Sequence, residues 1–122
     1  MVRIYLCDDV PELRRLLRVV LEEDPELCVV GEAGEARTGI EEIAELQPEV
    51  VLLDLSMPDM DGLEALPLIR RAAPDTSVVV FSGFTKERMG PLVLQEGADR
   101  YIEKGEPLES VRKAVRELTI SR

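Results

Sequence analysis

The chain has 122 residues, which is enough for one domain with a buried core. Its 25 acidic and 15 basic residues give a net charge of −10, which disfavours direct binding to nucleic acid phosphates. The sequence contains no histidine, and this excludes Ser-His triads, histidine zinc sites and phosphorylation of this chain on histidine. Its apolar stretches are far shorter than the roughly 20 residues that cross a bilayer, so we expect no membrane segment.

The two cysteines, Cys7 and Cys28, lie in apolar, strand-like runs. Cysteines in such runs are usually plain core residues, and a pair of them suits a reducing compartment better than a disulfide framework. The first residues enter a strand without a charged and then apolar leader, so no signal peptide is expected. Together these features predict a cytoplasmic protein.

Apolar runs alternate with helical patterns from the first residues onward. Residues 3–7 form a strand-like run, and residues 11–23 space their leucines and valines as an amphipathic helix does. Pro11 suits the first turn of that helix, and Asp24-Pro25 ends it. The next predicted elements are a strand at 27–30, a helix at 36–46 and an aliphatic strand at 50–53.

The second half of the chain continues the alternation. A turn leads into a third helix with Asp61 as its N-cap, and Pro67 predicts that this helix starts late or bends. After a fourth strand, Gly90-Pro91 interrupts the next helical pattern, which predicts a short fourth helix that begins near Pro91 after a mobile loop. The remaining predicted elements are the fourth strand at 77–81, a fifth strand at 101–103 and a fifth helix at 107–118.

Five β-α units follow from these patterns. Strands that are aliphatic throughout are buried on both faces, which is typical of a parallel sheet covered by helices on each side. With right-handed crossovers, the pattern predicts a single α/β domain over residues 1–122. The expected architecture is a flavodoxin-like, doubly wound, five-stranded parallel sheet, (βα)5, with strand order 2-1-3-4-5.

Polar residues follow four of the five predicted strands. Asp8 and Asp9 come after the first strand, Asp54 after the third, Ser82 after the fourth and Lys104 after the fifth. Ligands of such sheets bind outside the carboxyl ends of the strands. The sequence therefore predicts that three carboxylates, a hydroxyl and an ammonium group converge at one edge of the sheet.

A cluster of this kind favours a divalent cation and a phosphoryl group. Two carboxylates about 4 Å apart repel each other by roughly 4 kcal/mol at an effective dielectric constant near 20. Mg²⁺ prefers carboxylate and water oxygens, and it neutralises charge during phosphoryl transfer. Lys104 and Ser82 can hold the other phosphoryl oxygens by charge and hydrogen bond.

Over nearly its full length, the chain resembles the receiver domain of two-component response regulators. Residues 29–33 and 54–58 are most similar to receivers from the class with helix-turn-helix output domains. The motifs that carry the resemblance are Asp8-Asp9, Val51-Leu52-Leu53-Asp54, Met57-Pro58 with Asp61-Gly62, Ser82-Gly83, Gly97-Ala98-Asp99 and Tyr101-Ile102-Glu103-Lys104.

The resemblance implies a chemical role for several positions. Asp54 would accept a phosphoryl group from a sensor histidine kinase or phosphotransfer protein. Asp9 and Asp54 would bind Mg²⁺ directly, Asp8 would do so partly through water, and the backbone carbonyl of Ser56 would add a further ligand. The chain would catalyse its own phosphorylation and dephosphorylation without being a turnover enzyme.

The resemblance also implies a conformational switch. Ser82 and Lys104 would bind the phosphoryl group, and Tyr101 would be the aromatic switch residue, although an ordinary half-buried strand tyrosine fits the sequence nearly as well. The surface of the fourth helix, fifth strand and fifth helix would change, and phosphorylation could bring about a homodimer.

The acids Asp59, Asp75 and Asp99 are expected to be solvated loop residues.

One departure from the family pattern keeps an alternative open. Gly105 follows Lys104 where the family usually has proline, and we expect a trans peptide there because a cis bond without proline costs about 2.5–4 kcal/mol. The alternative is a receiver-like protein-binding module that works without phosphorylation. An aspartyl-phosphate hydrolase is disfavoured because Ser56 stands where such an enzyme needs a second acid. A flavin-binding module is disfavoured because Asp8-Asp9 follow the first strand in place of a phosphate-binding loop and would repel phosphate without a metal ion.

Overall fold

Five strands and five helices alternate in the computed structural model, which describes residues 1–120. The strands are β1 (Val2–Cys7), β2 (Leu27–Ala33), β3 (Val50–Leu53), β4 (Ser77–Ser82) and β5 (Arg100–Glu103). The helices are α1 (Pro11–Glu22), α2 (Ala36–Leu46), α3 (Gly62–Ala72), α4 (Lys86–Gln95) and α5 (Leu108–Thr119). All strand pairs are parallel in the order β2-β1-β3-β4-β5, so the predicted doubly wound sheet is confirmed.

Alternate residues of the central strands build two cores, one on each face of the sheet. Tyr5 and Cys7 of β1 belong to the core under α2, α3 and α4, whereas Ile4 and Leu6 belong to the core under α1 and α5. This alternation follows from the two-residue repeat of a strand, and it explains why the central strands are apolar at every position. No helix within residues 1–120 combines the length and the apolar character needed to cross a bilayer.

The cysteines match their prediction as core residues in one case and partly in the other. Cys7 is buried and Cys28 is half-buried, and both are free thiols. Burial raises the pKa of the Cys7 thiol to about 12, and the negative charge of Asp8 adds to the effect. Cys7 is therefore a poor nucleophile at neutral pH.

Helix α3 begins at Gly62, directly after its N-cap. The Asp61 side chain accepts a hydrogen bond from the amide of Glu64 at 2.9 Å, which confirms the predicted cap. Pro67 lies inside the helix and does not delay its start. A proline within a helix removes one donor, and the packing of the apolar face of α3 compensates for that loss.

The prediction of a short α4 beginning near Pro91 is wrong. The helix begins at Lys86 and continues through Gly90 and Pro91. Its start is held by the carbonyl of Thr85, which accepts from the amides of Arg88 and Met89, and by the carboxylate of Glu103, which accepts from the amide of Lys86. Glu103 comes from β5, so this cap could not be found by inspecting the helix sequence alone.

Two acids that were predicted to be solvated have structural partners instead. Asp99 accepts from the amide of Val78 at 2.8 Å and pairs with Arg70 at 2.6 Å, which ties β4 to the segment before β5. Asp59 accepts from the amides of Ala36 and Arg37 at 2.8 and 2.9 Å, and so it caps α2 from a distant loop.

We expect Glu103→Ala to loosen the first turn of α4. Loss of the carboxylate leaves the amide of Lys86 without its acceptor, and loss of a helix cap costs about 1 kcal/mol. Hydrogen exchange at Lys86, Arg88 and Met89 should then become roughly fivefold faster.

Glu12→Ala is the matched control, because it removes an exposed carboxylate from α1, which packs on the face of the sheet opposite α4. It should leave exchange in α4 unchanged. If these amides already exchanged at the rate of an unstructured peptide in the parent chain, the observed start of α4 would be contradicted.

Candidate functional site

Three carboxylates meet at the carboxyl ends of β1 and β3. Asp8 and Asp54 are each only 3% exposed, and the exposed Asp9 lies beside them. Each of the three offers a carboxylate oxygen within 4.8 Å of the others. The amide of Asp54 donates to the carbonyl of Cys7 at 2.9 Å, so the β1–β3 pairing sets the two buried acids side by side.

Lys104 reaches into this cluster from the end of β5. Its Nζ lies 3.0 Å from Asp8 Oδ2 and 3.2 Å from Asp54 Oδ2. Its backbone amide donates to the carbonyl of Ser82 at 2.8 Å, which fixes the start of its loop. Partial burial opposes the charged form, but the two carboxylates outweigh it and raise the pKa of the Lys104 ammonium.

The cluster carries more negative than positive charge. Burial raises the pKa of the Asp54 carboxyl, and the charge of Asp8 adds to the effect. The amide of Ser56, which donates to Asp54 Oδ1 at 3.2 Å, and the charge of Lys104 act in the opposite direction. Three carboxylates against one ammonium leave a site that favours a further cation with hard oxygen ligands.

The loop after Asp54 is closed over a glycine. The amide of Gly62 donates to the carbonyl of Leu55 at 2.9 Å, and Ser56 is bridged to Asp61. A Cβ at Gly62 would lie 2.7 Å from the Cα of Leu55, so the close approach of the two backbones requires glycine. This closure holds the Ser56 backbone next to Asp54.

Ser82 of β4 and Tyr101 of β5 both form hydrogen bonds with Phe84, which lies in the loop between β4 and α4. Ser82 is fully buried, and its hydroxyl accepts from the amide of Phe84 at 3.3 Å. The Tyr101 hydroxyl donates to the carbonyl of Phe84 at 2.6 Å, and the ring is buried instead of half-exposed. In this structure Ser82 therefore bonds to its own loop, while Lys104 bonds to the acids.

Two partners of the site were missed by sequence reasoning. Arg14 donates to the backbone carbonyl of Asp8 at 2.5 Å and pairs with Glu32 at 3.1 Å. The sequence offers no sign of this contact beyond an arginine on a charged helix face.

The peptide between Lys104 and Gly105 is trans, as predicted, since no cis peptide occurs in residues 1–120.

Comparison with known proteins identifies the class of protein. The model of the response regulator receiver domain matches residues 4–116. The chain therefore belongs to the response regulator receiver family, as the motifs and the strand order indicate.

Two relatives match this chain over only part of their own length. The nitrate/nitrite response regulator protein NarL of Escherichia coli (strain K12) is 39% identical over 112 residues, covering 92% of this chain and 52% of the relative. A protein-glutamate methylesterase/protein-glutamine glutaminase of Nocardioides sp. is 32% identical over 123 residues, covering 93% of this chain and 34% of the enzyme. The chain thus spans about half of one relative and about a third of the other.

A solved structure of similar size matches closely. The signal receiver domain of the response regulator NarL from Mycobacterium tuberculosis aligns with a TM-score of 0.90 at 30% identity, covering 99% of this chain and 98% of the other. This similarity extends over the whole sheet and all five helices, and it supports the flavodoxin-like assignment.

We expect Asp54→Asn to stabilise the protein at neutral pH in the absence of divalent cations. Because the folded pKa of Asp54 is raised, its ionised form destabilises the fold above that pKa, and this cost is absent below the ordinary Asp value. The gain should be about 1 kcal/mol in urea unfolding at neutral pH and should vanish in acid.

Asp59→Asn provides a control of opposite sign. The amides of Arg37 and Ala36 hold the pKa of the Asp59 carboxyl below its ordinary value, so its charge stabilises the fold above the unfolded pKa. This variant should be less stable than the parent at neutral pH. A loss of stability in Asp54→Asn at neutral pH would contradict the inference that the ionised carboxylate of Asp54 destabilises the fold.

Proposed function

We propose that residues 1–122 are a single receiver domain that accepts a phosphoryl group on Asp54 in a Mg²⁺-dependent reaction. The donor would be a sensor histidine kinase or a phosphotransfer protein. The observation that carries the proposal is the setting of Asp54, a buried carboxylate at the end of β3 in contact with Lys104 and close to Asp8 and Asp9. Residues 121–122 of the proposed domain lie outside the described residues.

The donor set fits Mg²⁺. Asp8, Asp9, Asp54 and the backbone carbonyl of Ser56 would hold the ion, and the surplus of negative charge at this edge supports a divalent cation. When bound, the ion supplies charge neutralisation for phosphoryl transfer. With its hydrogen-bonded amide, Ser56 keeps Asp54 Oδ1 in a fixed direction.

The transfer itself needs little from the protein beyond a positioned nucleophile. A carboxylate oxygen of Asp54 attacks phosphorus, the new O–P bond forms, and the P–N bond to the donor imidazole breaks with its electron pair on nitrogen. Lys104, already 3.2 Å from Asp54 Oδ2, would shift to a phosphoryl oxygen. The chain is therefore a phosphoacceptor that catalyses its own phosphorylation and dephosphorylation, without turnover of a separate substrate.

The same contacts offer a route from the site to the surface. A phosphoryl oxygen that draws in the Ser82 hydroxyl would break its bond to the Phe84 amide, and Tyr101 holds the carbonyl of the same residue. Glu103 caps α4 and directly precedes Lys104. Charge at one buried edge would thereby change the surface of α4, β5 and α5, with Ser82 and Tyr101 as the switch residues.

Regulation of transcription through a helix-turn-helix output domain is part of the proposal. The resemblance of residues 29–33 and 54–58 to that class, and the similarity to NarL, support it. With a net charge of −10, this segment itself would not bind nucleic acid directly. Homodimer formation on phosphorylation and a cytoplasmic location stay predictions.

The parent chain should gain one phosphoryl group when it is incubated with Mg²⁺ and a small acyl-phosphate donor. Intact-mass spectrometry should show the gain only with Mg²⁺ present and should show none for Asp54→Ala. Asp59→Asn is the matched control, an acid of the same loop whose carboxylate faces α2, and it should be phosphorylated normally.

A gain that survives in Asp54→Ala would contradict the choice of acceptor. No gain from either a small donor or a histidine-phosphorylated donor domain would favour the phosphorylation-independent binding module.

Phosphorylation or a phosphate mimic should shift amide resonances well beyond the acid cluster. The hydrogen bonds of Phe84 connect Ser82 and Tyr101, so the expected changes lie in residues 84–95 and at Tyr101. Tyr101→Phe should reduce the shifts in α4 because it loses the bond to the Phe84 carbonyl. Unchanged spectra in this segment of the parent would contradict the switch, even where phosphorylation of Asp54 is complete.

A further inference from the structure

Arg14 and Glu32 lie next to the cluster of Asp8, Asp9 and Asp54 without belonging to it. Arg14, near the start of α1, donates through Nη1 to the carbonyl of Asp8 at 2.5 Å and through Nε to Glu32 at 3.1 Å. Arg18, one turn further along α1, takes the other oxygen of Glu32 at 3.1 Å but donates to the carbonyl of Val29 at 3.2 Å instead. Arg14 thus reaches the metal-site backbone, whereas Arg18 does not.

The space for Arg14 is made by a glycine. A Cβ at Gly34 would lie 3.2 Å from Arg14 Nη1 and 3.9 Å from both the carbonyl of Asp8 and the Cα of Asp9. The guanidinium therefore occupies a site against the chain that joins the two acids. Its side chain is only 16% exposed, so the contact is largely shielded from water.

Other bonds already fix the rest of Asp8. Its amide donates to the carbonyl of Ala33 at 3.0 Å, Oδ1 accepts from the amide of Val10 at 2.9 Å, and Oδ2 faces Lys104. The backbone carbonyl of Asp8 is the group that these bonds leave for Arg14, and it belongs to the peptide unit between Asp8 and Asp9. Whatever holds that carbonyl sets the direction in which Asp9 leaves Asp8.

We propose that Arg14 is a positioning residue for the Mg²⁺ site, oriented by Glu32, and that it fixes the separation of the Asp8 and Asp9 carboxylates by holding the Asp8–Asp9 peptide. This inference rests on the proposed function, since it concerns the same metal site. The paired charge of Arg14 is offset by Glu32, so the guanidinium does not compete with the ion for the acids. Although partial burial acts to raise it, the bonds from Arg14 and Arg18 hold the pKa of Glu32 below its ordinary value, which keeps the pair ionised.

A positioning role and a purely electrostatic role for Arg14 predict opposite changes in Mg²⁺ affinity when Arg14 is replaced by Met. If Arg14 acted only through its charge, Arg14→Met would tighten Mg²⁺ binding by removing a nearby positive charge, and Arg14→Lys would leave it unchanged. If Arg14 acts by position, both variants weaken binding, because lysine cannot bond to Glu32 and the Asp8 carbonyl at once with the geometry of a guanidinium. Glu32→Gln weakens binding on either account.

The experiment measures Mg²⁺ dissociation constants by calorimetry for the full chain and for Arg14→Met, Arg14→Lys, Glu32→Gln and Arg18→Met, with urea unfolding of each. Arg14→Met should weaken binding roughly tenfold, the usual effect of removing a residue that orients a metal ligand, and Arg14→Lys at least about threefold. Arg18→Met, which loses an ion pair to the same Glu32, should stay within about twofold of the parent.

Every outcome for Arg14 and Arg18 decides between positioning and electrostatics, and parent-like binding in Glu32→Gln would overturn the role of Glu32. Tighter binding in Arg14→Met, or parent-like binding in Arg14→Lys, would overturn positioning, and so would an equal loss in Arg18→Met. If Arg14→Met does not fold, Arg14→Lys carries the test with its charge intact. A parent chain that shows no saturable Mg²⁺ binding would overturn the proposed function itself, whereas the failures above leave that function standing.

Discussion

Mutual repulsion between the carboxylates of Asp8, Asp9 and Asp54 is the constraint on which the rest of the site depends. The fold imposes it, because β1 and β3 are neighbours in the sheet and their last residues lie side by side. Two of these acids are buried, and a single ammonium from Lys104 lies between them. The hydrophobic cores on both faces of the sheet hold the strands in register against this repulsion. The surplus of negative charge at such a site favours a further cation with hard oxygen ligands.

The surroundings of the acids divide into a rigid side and a responsive side. On the β2 side, Arg14 and the pairing of β1 with β2 hold the backbone of Asp8. On the β5 side, Ser82 and Tyr101 are bonded to one exposed loop residue, Phe84, and α4 is capped from β5. Bonds to a loop open at lower cost than bonds within a sheet. A change of charge at Asp54 would therefore move the α4 side, while the backbone of Asp8 and Asp9 stays in place.

Most of the fold could be predicted from local patterns, and most of the errors concern contacts between residues that are distant in the chain. Aliphatic runs and helical stripes indicate each of the described strands and helices, because these signals act over a few neighbouring residues. Pro67 and Pro91 mislead about where α3 and α4 begin, since both lie inside those helices. The start of α4 was missed because its cap, Glu103, is 17 residues away in the chain and is brought close only by the sheet. The same holds for Asp99, whose partner Arg70 is 29 residues away, and for Arg14 and Glu32, which are 18 apart. The acid cluster itself was predictable because the carboxyl ends of parallel strands always meet at one edge.

The most direct test of the account is to find which carboxylate carries the phosphoryl group. Reduction of the phosphorylated protein with borohydride converts the acyl phosphate to a primary alcohol, and digestion with trypsin separates the candidates, since Asp8 and Asp9 lie in the fragment 4–14 and Asp54 lies in the fragment 38–70. Fragment sequencing by mass spectrometry then identifies the modified position. If Asp54 is the acceptor, homoserine appears at position 54 alone, in a Mg²⁺-dependent amount. Modification at position 8 or 9, or at another acid of the fragment 38–70, would contradict it.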